Sequence, residues 1–323
     1  MVAGCDEVRT GAIDIVRGRT GGVKRPDEAN SGRENALRSG PMRHSDDPIR
    51  VHLVAGGFPR GSYAGHDIDR VRLELLERLD RGRPTRVSLS NDYADLDDWL
   101  PHASLLVTYV AGPFPDEAGC RSIARWVESG GRWLALHGTS GGKTVPLDDG
   151  RPGRKMLRAA HHELLGCFFL NHPPIRRFQV DVRKEDDPIT RGLPPCFEVE
   201  DELYLLELTD PGESQILLST SACPADDPAP REFGFTYGED TSVEADGRTR
   251  PLAYRRDLGD GAITYIGLGH RHTPTTNIQP WVDASVAPDG KTPLEFRGPW
   301  STEAFGRLRD NAIAWGLDAR REG

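Results

Sequence analysis

The chain has 323 residues, 37% of them hydrophobic and 28% charged, with a formal net charge of −9. That length carries one large domain or two small ones. An acidic balance with no basic run interleaved with aromatics argues against a nucleic-acid surface, and no apolar run reaches the roughly 18 residues of a membrane-spanning helix. The N-terminus lacks the apolar core of a secretory signal. Five cysteines (Cys5, Cys120, Cys167, Cys196 and Cys223) are odd in number and lack CxxC spacing. They read as the reduced thiols of a cytoplasmic protein, not as a disulfide frame or a thiolate zinc site.

Met1 to Pro48 mixes Gly, Arg, Asp and Glu without periodicity. It buries too little apolar surface to offset its ordering entropy, so residues 1–48 are expected to be a flexible extension. From Ile49 onward strand-like and helix-like patterns alternate. Ile49 to Ala55 reads as a strand ending at Gly56-Gly57. Ile68, Val71, Leu75, Leu76 and Leu79 then recur at helical spacing, with Gly82 as a stop. Arg86 to Leu89 and Ser104 to Tyr109 are further strands. Asp116 caps a helix whose Cys120, Ile123, Ala124 and Val127 share a face. Trp133 to Leu136 is a fourth strand. Strands separated by helices imply crossovers and a mainly parallel α/β sheet flanked by helices over residues 49–318. The second half is less regular. Phe178 to Val182, Ile216 to Ser219, Pro251 to Tyr254 and Ala262 to Leu268 read as strands. A closing helix through Phe305, Leu308, Ala312 and Trp315 is expected to be capped by Ser301. Long loops near 140–155, 223–250 and 271–300 are functional or disordered by the usual statistics.

The segment WLALHGTSGG, Trp133 to Gly142, is the most informative. An apolar strand runs directly into His137 and a glycine-rich turn, and open parallel sheets bind ligands at the carboxyl ends of their strands. Three other places combine ionisable residues with strand ends or turns. In AGGFPRGSYAGHDID, Ala55 to Asp69, glycines precede His66 and Asp67 at a helix start, where backbone amides can approach an anion; an ordinary Asp67 cap beside a solvated His66 is the plain alternative. His172 precedes Pro173 and Pro174, while Glu200, Asp201 and Glu202 open an apolar segment. Adjacent Asp201 and Glu202 cannot both face inward from an extended chain, so one is expected to work in the cleft while the other pairs elsewhere; a surface acid cluster is the plain alternative. In GLGHRH, Gly267 to His272, a strand terminates at His270. His137, His172 and His270, with Asp201 or Glu202 and with His66 at the edge, are therefore expected to converge on one cleft. Such residues serve both as proton-transfer groups and as ligands of a divalent metal, zinc or similar, and the sequence does not separate these uses. Trp281 and Trp300 in the proline-rich loop are candidates for stacking on a sugar, or for completing a core.

HDID, WVESGGRWLALHGTSGG, LLGCFFLNHPPI, EDELYLL and YIGLGHRH, in this order, resemble the ThuA-like (trehalose utilisation) family across most of Ile49 to Leu317. The resemblance implies a fold similar to the class I glutamine amidotransferases, a flavodoxin-like sheet. In true amidotransferases the strand-to-helix elbow carries a nucleophilic cysteine. Here that strand end offers His137, Gly138, Thr139 and Ser140, so thiol acyl transfer is disfavoured. The long loop after Thr139 and the Cys223 to Arg250 insertion depart from the family pattern and leave the substrate open.

The resemblance further implies carbohydrate metabolism, centred on oxidised (keto) sugars and glycosides. A ketone acidifies the neighbouring C–H, so a lyase, isomerase or hydrolase working by His and carboxylate proton transfer, with metal assistance, is the expected activity. In this reading His137, His270, Asp201 and Glu202 are catalytic, and His66, Asp67, His172, Trp281 and Trp300 contact substrate. A metal would be held by His137, His172 and His270. The expected partner is a small-molecule carbohydrate or glycoside, with no nucleic acid and no membrane, and assembly as a homo-oligomer stays open. The alternative is a non-catalytic sugar-binding or interaction protein on the same fold.

Overall fold

The computed structural model describes residues 48–57, 63–81, 83–221 and 233–318. The expected N-terminal extension falls outside these residues up to position 47, as do Gly82, residues 58–62 of the first glycine-rich turn and residues 222–232 of the second long loop. The first half contains β1 (Ile49–Gly57), α1 (Ile68–Leu79), β2 (Thr85–Ser90), the single-turn α2 (Leu96–Trp99), β3 (Leu105–Ala111), α3 (Glu117–Glu128) and β4 (Arg132–Leu136). Then come β5 (Thr144–Pro146), β6 (Arg154–Met156), α4 (Ala160–Leu165), β7 (Cys167–Asn171), β8 (Arg176–Val182), β9 (Cys196–Asp201) and β10 (Leu205–Leu208). The chain ends with β11 (Gln215–Thr220), β12 (Arg250–Leu258), β13 (Gly261–Ile266) and α5 (Glu303–Leu317).

Nine strands form one sheet in the order β2-β1-β3-β4-β13-β12-β11-β8-β9. Its β2-β1-β3-β4-β13 half is parallel throughout, the order of flavodoxin-like sheets. The expected α/β architecture is thus present, extended by an antiparallel half from β13 to β9. The physical reason lies in the connections. β12 and β13 are joined by the two-residue turn Gly259-Asp260, with Gly259 at φ +60, and such a turn makes a hairpin rather than a crossover.

Apolar runs in β1, β3, β4 and β13 are buried on both faces, unlike the edge strand β2, and alternation divides them. Val51, Leu53, Leu105, Val107 and Tyr109 pack with α1 and α5. Val54, Leu106, Val110 and Ala135 pack with Ile123, Trp126 and Val127 of α3. Asp67 caps α1 by accepting from the Arg70 N–H, and Asp116 caps α3 through the Gly119 N–H at 2.8 Å. The cap of α5 is Thr302, which accepts from the Phe305 N–H, and not Ser301, whose hydroxyl bonds to the Gly298 carbonyl. Among the described residues no helix is long and apolar enough to cross a membrane.

This frame fixes the site. The carboxyl ends of β1, β4 and β13 open on the same edge of a parallel sheet, and β9 delivers Asp201 and Glu202 to the segment that follows β13.

Candidate metal centre

β4 delivers His137 in an unusual conformation. Its φ is +42, left-handed backbone that a side chain adopts at a cost of about 1–3 kcal/mol and that clusters at functional sites. The next residue must be glycine, because a Cβ on Gly138 would lie 2.8 Å from the Val110 carbonyl oxygen. The strand end therefore carries a strained turn with an imidazole at its apex. β13 leads through Gly267, Leu268 and Gly269 to His270, and Gly269 at φ +138 runs against the His137 Cβ. His66 stands just before α1, held there by the backbone bond from Asp67 N–H to the Arg271 carbonyl at 2.8 Å.

Each of these imidazoles has one ring nitrogen committed to the protein. His66 Nδ1 lies 2.9 Å from the Ala64 carbonyl, and His137 Nδ1 lies 2.7 Å from the Gly267 carbonyl. A carbonyl only accepts, so these nitrogens carry the protons and the Nε2 atoms carry lone pairs. For His270 the chain is one residue longer. His272 Nε2 faces the Pro293 carbonyl at 2.9 Å and must donate, which makes His272 Nδ1 an acceptor for the Nε2–H of His270 at 2.9 Å. The lone pair of His270 is therefore on Nδ1.

Those three nitrogens, His66 Nε2, His137 Nε2 and His270 Nδ1, are buried without a hydrogen-bond partner. Together with a Glu202 carboxylate oxygen they lie within 4.8 Å of one another. Glu202 Oε1 is 3.1 Å from His270 Nδ1, and Oε2 is 3.3 Å from His137 Nε2 and 4.0 Å from His66 Nε2. Three lone pairs and a carboxylate face one point. A single proton can satisfy only one of the nitrogens, whereas a divalent cation satisfies all four groups together. Histidine ligands that give their second N–H to backbone carbonyls are the usual support of a metal site. Three imidazoles and a carboxylate, without thiolate, suit a first-row divalent ion such as zinc or iron(II). The donor set fits such an ion.

The charges of these buried groups distribute unevenly. Burial opposes protonation of His137, but the Glu202 and Asp201 carboxylates outweigh it and raise its pKa. Burial lowers His66 to about 3, helped by repulsion from His270 and His137. Burial also lowers His270 to about 4, against the pull of Glu202. Glu202 lies well below the usual carboxylate range despite its burial, because His172, His270 and His137 surround it.

The cluster forms one end of a cavity of about 740 Å³, within the usual range for small-molecule sites. His172 lines that cavity. Its Nδ1 faces the Pro173 carbonyl at 2.8 Å, which leaves a lone pair on Nε2, 3.7 Å from Glu202 Oε1. Tyr204 also lines it and stacks on His137 with ring centroids 4.3 Å apart. Gln279 donates its amide to Glu202.

The structure thus brings together His137, His270, Glu202 and His66, and it places the other expected residues as follows. His66, expected at the substrate edge, replaces His172 in the four-atom cluster. Asp201 is turned away from the cavity: its carboxylate accepts from the backbone N–H groups of Gly269 at 2.7 Å, His270 at 2.9 Å and Glu202 at 2.9 Å. Burial raises Asp201 to about 7, while a charged His137 and the Gly269 and His270 N–H groups oppose that rise. Asp67 caps α1 and pairs with Arg271 instead of facing the cavity. Trp300 is a core residue whose Nε1–H donates to the Gly269 carbonyl at 2.8 Å. Trp281 is 37% exposed and packs edge-on to Phe233, outside the cavity lining. Sequence reasoning did not single out Tyr204, Gln279 or His161, which line the cavity. Tyr204 carries a detectable signal, two positions beyond Glu202 in an extended segment.

The sequence profile of the ThuA family, described as trehalose utilisation, matches residues 59–284. No curated protein matches the chain. The fold is similar to a crystal structure of a putative ThuA-like protein from Bacteroides uniformis, with a TM-score of 0.56 and 16% identity, covering 88% of this chain and 98% of that one. A putative ThuA-like protein from Parabacteroides merdae is similar at a TM-score of 0.50 and 18% identity, over 86% of this chain and 92% of that one. With its motifs, sheet order and more than half its length matched, the chain belongs to the ThuA family, whose description implies a carbohydrate-related role.

Proposed function

We propose that the chain is a metal-assisted carbohydrate enzyme that moves a proton on the carbon next to the carbonyl of an oxidised (keto) glycoside. The observation that carries this reading is the convergence of three imidazole lone pairs and Glu202 at one end of the 740 Å³ cavity. His66, His137, His270 and Glu202 hold a divalent ion, which when bound supplies Lewis acidity toward a substrate carbonyl.

The remaining chemistry belongs to side chains around it. His172 presents the Nε2 lone pair to the cavity and accepts the proton as the C–H bond breaks. The electron pair of that bond enters the adjacent carbonyl. When the carbonyl re-forms, the pair expels the glycosidic oxygen on the next carbon, or a proton returns elsewhere and the sugar isomerises. A base placed for this step contributes about 10²–10⁴-fold. Tyr204 is kept neutral by burial and by the nearby Glu202 charge, so its phenol is a donor for the departing oxygen. Asp201 holds His270 in place and takes no proton from substrate. Free thiols at Cys120, Cys167 and Cys196 suit a reducing, cytoplasmic compartment.

The test is hydrogen exchange in D2O, followed by NMR, with glycosides oxidised at one ring hydroxyl. Metal-loaded protein should exchange the proton next to the ketone, and His172→Asn should abolish exchange while the ion stays bound. Tight glycoside binding with no exchange under any metal would instead assign a binding module.

A further inference from the structure

Beyond the metal ligands, the cavity lining is rich in apolar and aromatic side chains. Phe114, Met156, Phe169 and Phe235 are part of it. Phe114 lies face to face with His161, with centroids 4.8 Å apart and planes 4° from parallel. His161 is pinned in turn by the Gly141 carbonyl at 2.7 Å. The adjoining floor is bare peptide: a Cβ on Gly141 would meet the Phe114 ring at 3.0 Å, and one on Gly142 would meet the His162 ring at 2.9 Å. Phe114, His161 and the Gly141-Gly142 peptides are thus packed against one another as a rigid part of the lining.

At the rim of the cavity stand Lys143 and Arg154, both exposed. Neither has an acidic partner among the described residues, although the basic residues around them do. Arg151 pairs with Asp149, Lys155 with Asp148, and Arg158 with Glu163 and Glu207. In a chain of net charge −9, two unpaired cations at a cavity mouth are matched to an anionic group on the ligand.

We infer that the cavity selects a glycoside whose aglycone is a flat aromatic ring bearing a carboxylate, and discriminates against a disaccharide. This rests on the glycoside reading above and names its substrate class. A second pyranose would bring several hydroxyls, and those that do not reach Thr144, His161, Gln279, the two rim cations or the Gly141 and Gly142 peptides would be buried unpaired and lose affinity. An aromatic ring has no hydroxyls to leave unpaired, gains stacking, and places its acid toward the cavity mouth, where Lys143 or Arg154 can meet it.

The experiment is calorimetric titration of the metal-loaded full chain with unoxidised phenyl glucosides, 4-carboxyphenyl glucosides and trehalose, in both anomeric forms of the aryl ligands. Phenyl glucoside should bind about tenfold tighter than trehalose, a preference that Phe235→Ala reduces. The carboxylate should add about three- to tenfold, shrinking with added salt, and the increment should vanish in the double variant Lys143→Ala, Arg154→Ala. Trehalose binding as tightly as the aryl ligands overturns the inference, as does a carboxylate increment that survives the double variant. Binding is read without turnover. Aryl preference with no proton exchange therefore refutes the catalytic reading and leaves this one standing, whereas faster exchange on oxidised trehalose than on oxidised aryl glycosides does the reverse.

Discussion

Replacing Asp201 by asparagine should destabilise the fold rather than disable a catalytic acid. The Asp201 side chain is fully buried, and its two oxygens receive three backbone N–H groups, from Glu202, Gly269 and His270. An asparagine has the same shape but only one acceptor oxygen, so its NH2 group must oppose at least one of those donors. The loss is one charge-assisted hydrogen bond, about 1.5–3 kcal/mol, plus a buried N–H left unpaired, about 1–3 kcal/mol. Relief from burying a carboxylate offsets part of this, which leaves a net loss of about 2–4 kcal/mol. At about 2–4 °C per kcal/mol for a domain of this size, the melting temperature should fall on the order of 10 °C. Urea denaturation of chelated protein measures the effect without interference from a bound ion. A loss below about 0.5 kcal/mol, the level of an ordinary surface change, combined with abolished turnover would show that Asp201 works in the cleft and that its anchoring role is wrong.

Other consequences follow from the same geometry. Gly269→Ala places a side chain at φ +138 and 3.3 Å from the His137 Cβ, and should cost about 1–3 kcal/mol in urea denaturation. His272→Phe removes the acceptor that sets the His270 tautomer, so metal affinity measured by chelator competition should fall about 10–100-fold, with partial rescue by His272→Gln. Burial and the neighbouring His161 lower His162 from 6.5 to about 3. The unfolded chain therefore takes up a proton that the native state refuses, and stability present above pH 6.5 is lost as pH falls toward 3. The contribution reaches about 1.4 kcal/mol per pH unit, and His162→Gln should reduce the slope of stability against pH by about one proton's worth.

The parallel half of the sheet was legible because its inner strands are buried on both faces. Runs such as Leu105–Ala111 and Arg132–Leu136 are mainly apolar stretches, interrupted only by Thr108 and opened by Arg132. The antiparallel half was less so. CFEVED in β9 is an edge strand that mixes acids with few apolar residues, and the three-residue strands β5 and β6 and the six-residue α4 are too short to show a period. β7 was visible as a motif but not as a strand, because it pairs only with β10 in a separate two-stranded sheet. At the site, His137 and His270 announced themselves by ending apolar strands, and alternation showed that one of Asp201 and Glu202 had to turn away, though not which. The exchange of His172 for His66 was not legible. It depends on the backbone bond between Asp67 and Arg271, a tertiary contact across more than half the chain that leaves no local pattern. Nor does any sequence period place the β5–β6 hairpin beside the cluster, which is why the aromatic wall of the cavity went unseen.

The most direct test of the central claim is metal content by elemental analysis, paired with thermal denaturation across a divalent-ion titration. The account predicts one ion per chain in reconstituted protein, with stabilisation of about 2.7 kcal/mol at a hundredfold excess over Kd. Binding should be lost in His66→Ala, His137→Ala, His270→Ala and Glu202→Gln, and retained in His172→Ala. No ion taken up at any concentration would contradict the account, and so would an ion lost in His172→Ala but kept in His66→Ala.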